Sequence, residues 1–101
     1  MSPQSLPQLH GGAPLRLPEQ LTVMDAHRWV DASAWRTAMA EGTLRVDASG
    51  LLRFDSAALG ALLALRRKAQ SEGGLLHIEQ APAALGALAR AYGVIDLLPG
   101  L

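Results

Sequence analysis

The spacing of apolar positions changes several times along this chain of 101 residues, and each change marks an element. Leu6–His10 and Leu15–Leu17 flank Gly11-Gly12-Ala13-Pro14, which predicts two short strands around a glycine-rich turn. Pro7 confines the first of them to a sheet edge, because proline has no N–H to donate. Residues 1–5 are polar and proline-containing and predict a flexible tail, leaving 6–101 as a single domain. From 22 to 41 the spacing is helical. Val23, Ala26, Val30, Ala34 and Ala38 share one stripe, Trp35 lies on its margin, Trp29 lies off it and is partly exposed, and Gly42 is the stop. Thr43–Ala48 alternates, with Leu44, Val46 and Ala48 on one side of a strand. Leu51–Phe54 reads as a connector, and Asp55-Ser56 supplies capping side chains for a helix to about Glu72, ended by Gly73-Gly74. Leu75–Gln80 is a further strand. Pro82 suits the first position of the last helix, where Leu85, Leu88, Ala89 and Tyr92 recur at helical spacing up to Gly93. Val94–Leu98 is an apolar tail that should pack down. Strands alternating with helices predict an α/β fold: a mixed, mostly parallel sheet of four to five strands packed with three or four helices.

Composition narrows the function. Lys plus Arg and Asp plus Glu are nine each, so the net charge is zero. That removes the basic footprint of a nucleic-acid or membrane-surface binder. Half the residues are hydrophobic and 18% are charged, as in a globular domain. With no cysteine there is no disulfide, thiolate metal site or thiol nucleophile. Met1–Pro14 has no basic start and no apolar centre, so it does not read as a signal peptide. The longest apolar run, Ala57–Leu65, falls far short of the ~20 residues of a membrane span. His10, His27 and His77 are scattered over a turn, a helix and a strand and predict no metal site. There is no nucleophile elbow, phosphate loop, dinucleotide fingerprint or pair of carboxylates at catalytic spacing. These absences predict a protein that is not an enzyme and carries no cofactor, with a nucleotide or small-ligand binder as the weakest reading.

The informative feature is the helix that starts after Asp55. Its early part is apolar almost all the way round. One side must face the sheet, and the other carries Ala57, Gly60, Ala61 and Ala64, all small and uncharged. Either another element of the chain covers that side or a partner protein docks on it. Ser56 also has two readings. As an N-cap it would satisfy an orphan amide; otherwise its hydroxyl is a contact or regulatory group. A phosphate there would meet the positive end of the helix, against the opposing charge of Asp55.

Three segments carry a resemblance: Val46-Asp47-Ala48-Ser49, Phe54-Asp55-Ser56-Ala57-Ala58-Leu59-Gly60 and Leu88-Ala89-Arg90-Ala91-Tyr92-Gly93-Val94. From about Leu15 to Leu101 the chain resembles the STAS domain family (sulfate transporter and anti-sigma-factor antagonist), whose small α/β fold agrees with the derived order. Anti-sigma-factor antagonists of that family carry D-S-[S/T]-G-L-G, with the second hydroxyl phosphorylated by a partner kinase. Here Ala57 stands at that hydroxyl and Ala58 at the usual glycine. The MlaB branch, the small STAS subunit of a phospholipid-transport ABC complex, reads D-T-G-G-L, and Ser56-Ala57 is similar to it, as is the C-terminal segment with Leu98-Pro99. This resemblance implies a cytoplasmic accessory subunit, recruited to the inner face of the inner membrane by docking on an ABC-transporter ATPase, in a complex that maintains outer-membrane lipid asymmetry. Asp55, Ser56, Ala57, Gly60, Ala61 and Ala64 would then form or border the contact. The alternative is an antagonist of an anti-sigma factor kinase, switched by phosphorylation of Ser56.

Overall fold

A computed structural model describes residues 13–101. The elements are β1 (Leu15–Arg16), β2 (Gln20–Leu21), α1 (Ala26–Ala32), α2 (Trp35–Ala38), β3 (Met39–Ala40), β4 (Thr43–Asp47), β5 (Arg53–Phe54), α3 (Ser56–Ser71), β6 (Leu75–Glu79), α4 (Ala83–Ala91) and a 3₁₀ turn at Ile95–Leu97. The expected strand at Leu6–His10 and the expected tail at 1–5 lie outside the described residues.

β4 is the centre of the main sheet. It pairs in parallel with β6 over its whole length, from Thr43↔Leu75 to Asp47↔Glu79. Its other edge is shared, with β3 antiparallel at Thr43 and Leu44 and β1 parallel at Val46 and Asp47. β2 and β5 form a separate parallel pair. The sheet is therefore mixed and mostly parallel, and the fold has four helices, as the alternation of elements predicted.

The alternation in β4 and β6 sorts side chains cleanly. Leu44, Val46, Leu76 and Ile78 are at most 4% exposed and face the core. Arg45, Asp47, His77 and Glu79 take the opposite face, where Arg45 and Glu79 pair at 2.8 Å. α3 packs on β6, and α1 lies beside α3. The fully buried positions Ala58, Leu62, Leu65 and Ala69 of α3 fall at helical spacing, forming the stripe that seals the core. No aromatic residue is fully buried; Trp29, Trp35 and Phe54 pack against the core from its margin. A core this rich in leucine and alanine lets the layers approach closely.

The chain's end closes the outer edge of β6. The Ile78 N–H donates to the Pro99 carbonyl at 2.9 Å, and Leu98 is fully buried. The backbone at Gly100 comes so close to the Ile78 carbonyl that a Cβ would collide with it. The packing expected of the Val94–Leu98 tail is thus present.

Residues 22–41 are not one helix. Residues 22–25 form a turn in which the Ala26 N–H donates to the Thr22 carbonyl (2.8 Å), and α1 begins only at Ala26. It ends at Ser33, whose backbone is extended (ψ 151°) and whose hydroxyl donates to the Val30 carbonyl at 2.7 Å. That side chain competes for the acceptor that would continue the helix. Val23 and Ala34 consequently leave the expected stripe and are exposed, while Ala26 and Val30 stay buried. Glu41 and Gly42 both have positive φ, 53° and 79°. They are the two loop residues of a β3–β4 hairpin with the twist of a type I′ turn, so Gly42 is a hairpin residue and not a helix stop.

Arg53–Phe54 is the strand β5 rather than a plain connector. Pro82 sits one position earlier than expected, as the N-cap of α4 with ψ 143°. Tyr92 follows the last helical residue and is exposed, while Leu85 and Ala89 hold the stripe.

Candidate functional site

Asp55 fixes the start of α3. One carboxylate oxygen accepts the Ala57 N–H at 2.8 Å, the N-cap bond, and the other accepts the Val23 N–H at 3.1 Å. One side chain therefore ties the beginning of α3 to the turn that precedes α1. The capping role falls to Asp55, which leaves the exposed Ser56 hydroxyl free of it.

That tie sets the direction of the neighbouring segments. Residue 23 lies against residue 55 at one end. At the other, the Arg36 guanidinium lies 3.3 Å from the Glu72 carboxylate, and the Lys68 ammonium sits 5.6 Å from the centre of the Trp35 ring. α1 and α2 thus run alongside α3 in the same direction. Between α1 and α3 opens a groove of about 680 Å³.

The α1 wall of the groove is Val23, Ala26, His27, Val30 and Asp31; the α3 wall is Ala57, Gly60, Ala61, Ala64, Arg67, Lys68 and Ser71. Of the small residues picked out from the sequence, Ala57, Gly60, Ala61 and Ala64 all line it. Their exposures differ. Gly60 is exposed, Ala57 and Ala64 are half-buried, and Ala61 is 5% exposed, at the groove's base beside the buried Ala26 and Val30. The chain's own α1 therefore covers the inner half of the small-residue face, and the outer half is open. Asp55 and Ser56 immediately precede Ala57 at the start of α3 and are not among the lining residues.

The α1 wall was missed in the sequence, because a single helix over 22–41 would turn Val23 inward. Instead Val23 and Met24 are 75% and 77% exposed at the Ser56 end. The far end is charged, with Arg67 and Lys68 opposite Asp31, which lies 3.3 Å from His27.

The turn before α1 depends on ionised carboxylates. Asp25 accepts the Thr22 N–H at 2.7 Å and the Gln20 amide at 2.8 Å, and the Thr22 bond above all holds its carboxyl below the usual range. On the sheet, Asp47 is lowered mainly by accepting the Ser49 N–H, and Glu79 mainly by its bond from Arg45. Each of these groups binds its proton more weakly folded than unfolded, so acid favours the unfolded chain. Melting temperature is expected to be level between about pH 7 and pH 5 and to fall as pH drops through the carboxylate range below about pH 4.5. Thermal melts across that range check it, and a melting temperature that rises on acidification would contradict it.

The fold is that of a small α/β domain with a mostly parallel sheet and helices packed against it. The chain belongs to the STAS domain family: the family model described as "Mlab, STAS domain" matches residues 7–99. No curated protein matches the chain. Among the described residues, no helix is long and apolar enough to cross a membrane, and no group of three or more His, Cys, Asp or Glu side chains could hold a metal.

Proposed function

We propose that the chain is a non-enzymatic STAS subunit that binds and regulates the ATPase of a phospholipid-transport ABC complex. It works in the cytoplasm, is held at the inner face of the inner membrane through that partner, and contributes to outer-membrane lipid asymmetry. The observation that carries this reading is the open groove between α1 and α3, lined by small apolar residues that begin beside Ser56. Alanine and glycine let a partner's backbone come close, whereas bulky side chains would hold it off. Membership in an MlaB-type STAS family, and Ala57 where a kinase-regulated antagonist has a hydroxyl, support the same reading. The test is to mix the purified chain with the ATPase subunit of the organism's own complex. Co-elution and an altered ATP hydrolysis rate are expected; separate elution with an unchanged rate would overturn the proposal.

The exposed, non-capping Ser56 favours a second reading, an antagonist of an anti-sigma factor kinase switched by phosphorylation there. Incubation with that kinase and intact-mass analysis distinguishes the two. One phosphate per chain, located on Ser56, would establish the switch, and an unchanged mass would leave the transporter reading in place.

A further inference from the structure

The groove has a direction and a polarity, and together they describe what fits it. From Ala57 to Ser71 the α3 wall is about 21 Å long at 1.5 Å per residue, room for roughly four turns of helix. The end nearest Ser56 is apolar, with Val23, Ala57 and Gly60. At the other end two cations, Arg67 and Lys68, face the single carboxylate of Asp31, which already has His27 beside it. Lys68 leans over Trp35, while Arg67 has no carboxylate within ion-pair distance among the described residues.

We infer that the groove takes one amphipathic α-helix of the partner, running antiparallel to α3, with an acidic residue in its first turn over Arg67. This rests on the reading of the groove as the docking surface. An extended strand would leave its backbone donors and acceptors unpaired against two helix flanks that offer none in return, whereas a helix satisfies its own. A third helix laid along two neighbours is ordinary bundle packing, and the small side chains of α3 leave it space. Charge sets the direction. An acidic residue is stabilised at the N-terminus of its own helix and at the same time by Arg67 and Lys68, and only the antiparallel orientation provides both. The apolar remainder of that helix would lie over Gly60 and Ala57 and end against Val23 and Met24.

Two measurements on the complex with the ATPase subunit test this. First, Arg67→Glu is expected to weaken binding about tenfold at low salt and only about twofold at about 0.5 M salt, because the lost attraction is a screened one. Second, a photo-crosslinking residue at Ser71 is expected to capture the acidic first turn of a partner helix, and one at Val23 the last turns of the same helix. The reverse order, capture of a second copy of this chain, or capture of phospholipid would overturn the inference, as would an Arg67→Glu variant that binds normally. If the unsubstituted chain does not bind the ATPase subunit at all, the functional reading itself has failed. If it binds but Arg67→Glu has no effect, only the description of the bound helix has failed.

Discussion

Gly60→Arg is expected to abolish association with the ATPase subunit while making the isolated domain more stable. Gly60 is exposed in the second turn of α3, and a Cβ built there meets nothing within 4 Å. The domain itself has no need of a glycine at this position. Glycine costs a helix interior about 0.5–1 kcal/mol relative to a good helix former, so arginine should raise the melting temperature by about 2–8 °C. The groove, however, would then contain a long cationic side chain where the proposed partner comes close. Overpacking together with an unpaired charge costs several kcal/mol at an interface, enough to lose the complex at micromolar concentrations. Thermal melts and co-elution on the same variant check both halves. A variant that binds normally would mean that the groove is not the docking surface. Ala61→Glu is a poorer probe: Ala61 is buried, and a carboxylate there would disturb the packing of α1 on α3 before any partner was met.

Gly74→Ala is expected to destabilise the fold by about 3 kcal/mol, lowering the melting temperature by about 12–24 °C. Gly74 is buried between α3 and β6, where a Cβ would lie 2.6 Å from the Met39 methyl and 2.7 Å from the Gly42 carbonyl oxygen. The methionine tip can swing aside. The carbonyl cannot easily do so, because it belongs to the β3–β4 turn and accepts the Leu75 N–H at 2.8 Å. Relief therefore requires separating the hairpin from the first residue of β6, which opens the end of the β4–β6 ladder. A loss below about 4 °C in a thermal melt would show that the turn yields and that this contact is not a fixed point of the fold.

The parts legible from the sequence are those whose period is long enough to read. β4 and β6 each run five residues with strict alternation, and α3 runs sixteen between a capping aspartate and Gly73-Gly74. These three elements were placed nearly to the residue. Of the three, α3 carries half the groove, which is why Ala57, Gly60, Ala61 and Ala64 are legible in the sequence. The two-residue strands β2, β3 and β5 show no alternation, since two positions cannot define a period.

The break of the 22–41 segment is a matter of local hydrogen bonding rather than hydrophobic spacing. Asp25 turns its carboxylate back to Thr22 and Gln20, and Ser33 takes the Val30 carbonyl. Neither choice alters the apolar pattern, so the stripe from Val23 to Ala38 looked continuous. The turn at Asp25 leaves Val23 exposed at one end of the groove, and the helix that follows it is the second wall. The role of Asp55 was half legible. The sequence offers Asp55 and Ser56 alike as caps of α3 and the fold selects Asp55, whose bond to the Val23 N–H spans 32 positions and exists only in the folded chain.

Amide hydrogen exchange on the chain alone and in complex with the ATPase subunit tests most directly whether the partner sits on the surface between α1 and α3. Slowed exchange is predicted in 23–32 and 56–71, with unchanged exchange in β6 and on the charged face around Arg45 and His77. Protection confined to that charged face, with α1 and α3 exchanging as in the free chain, would contradict it.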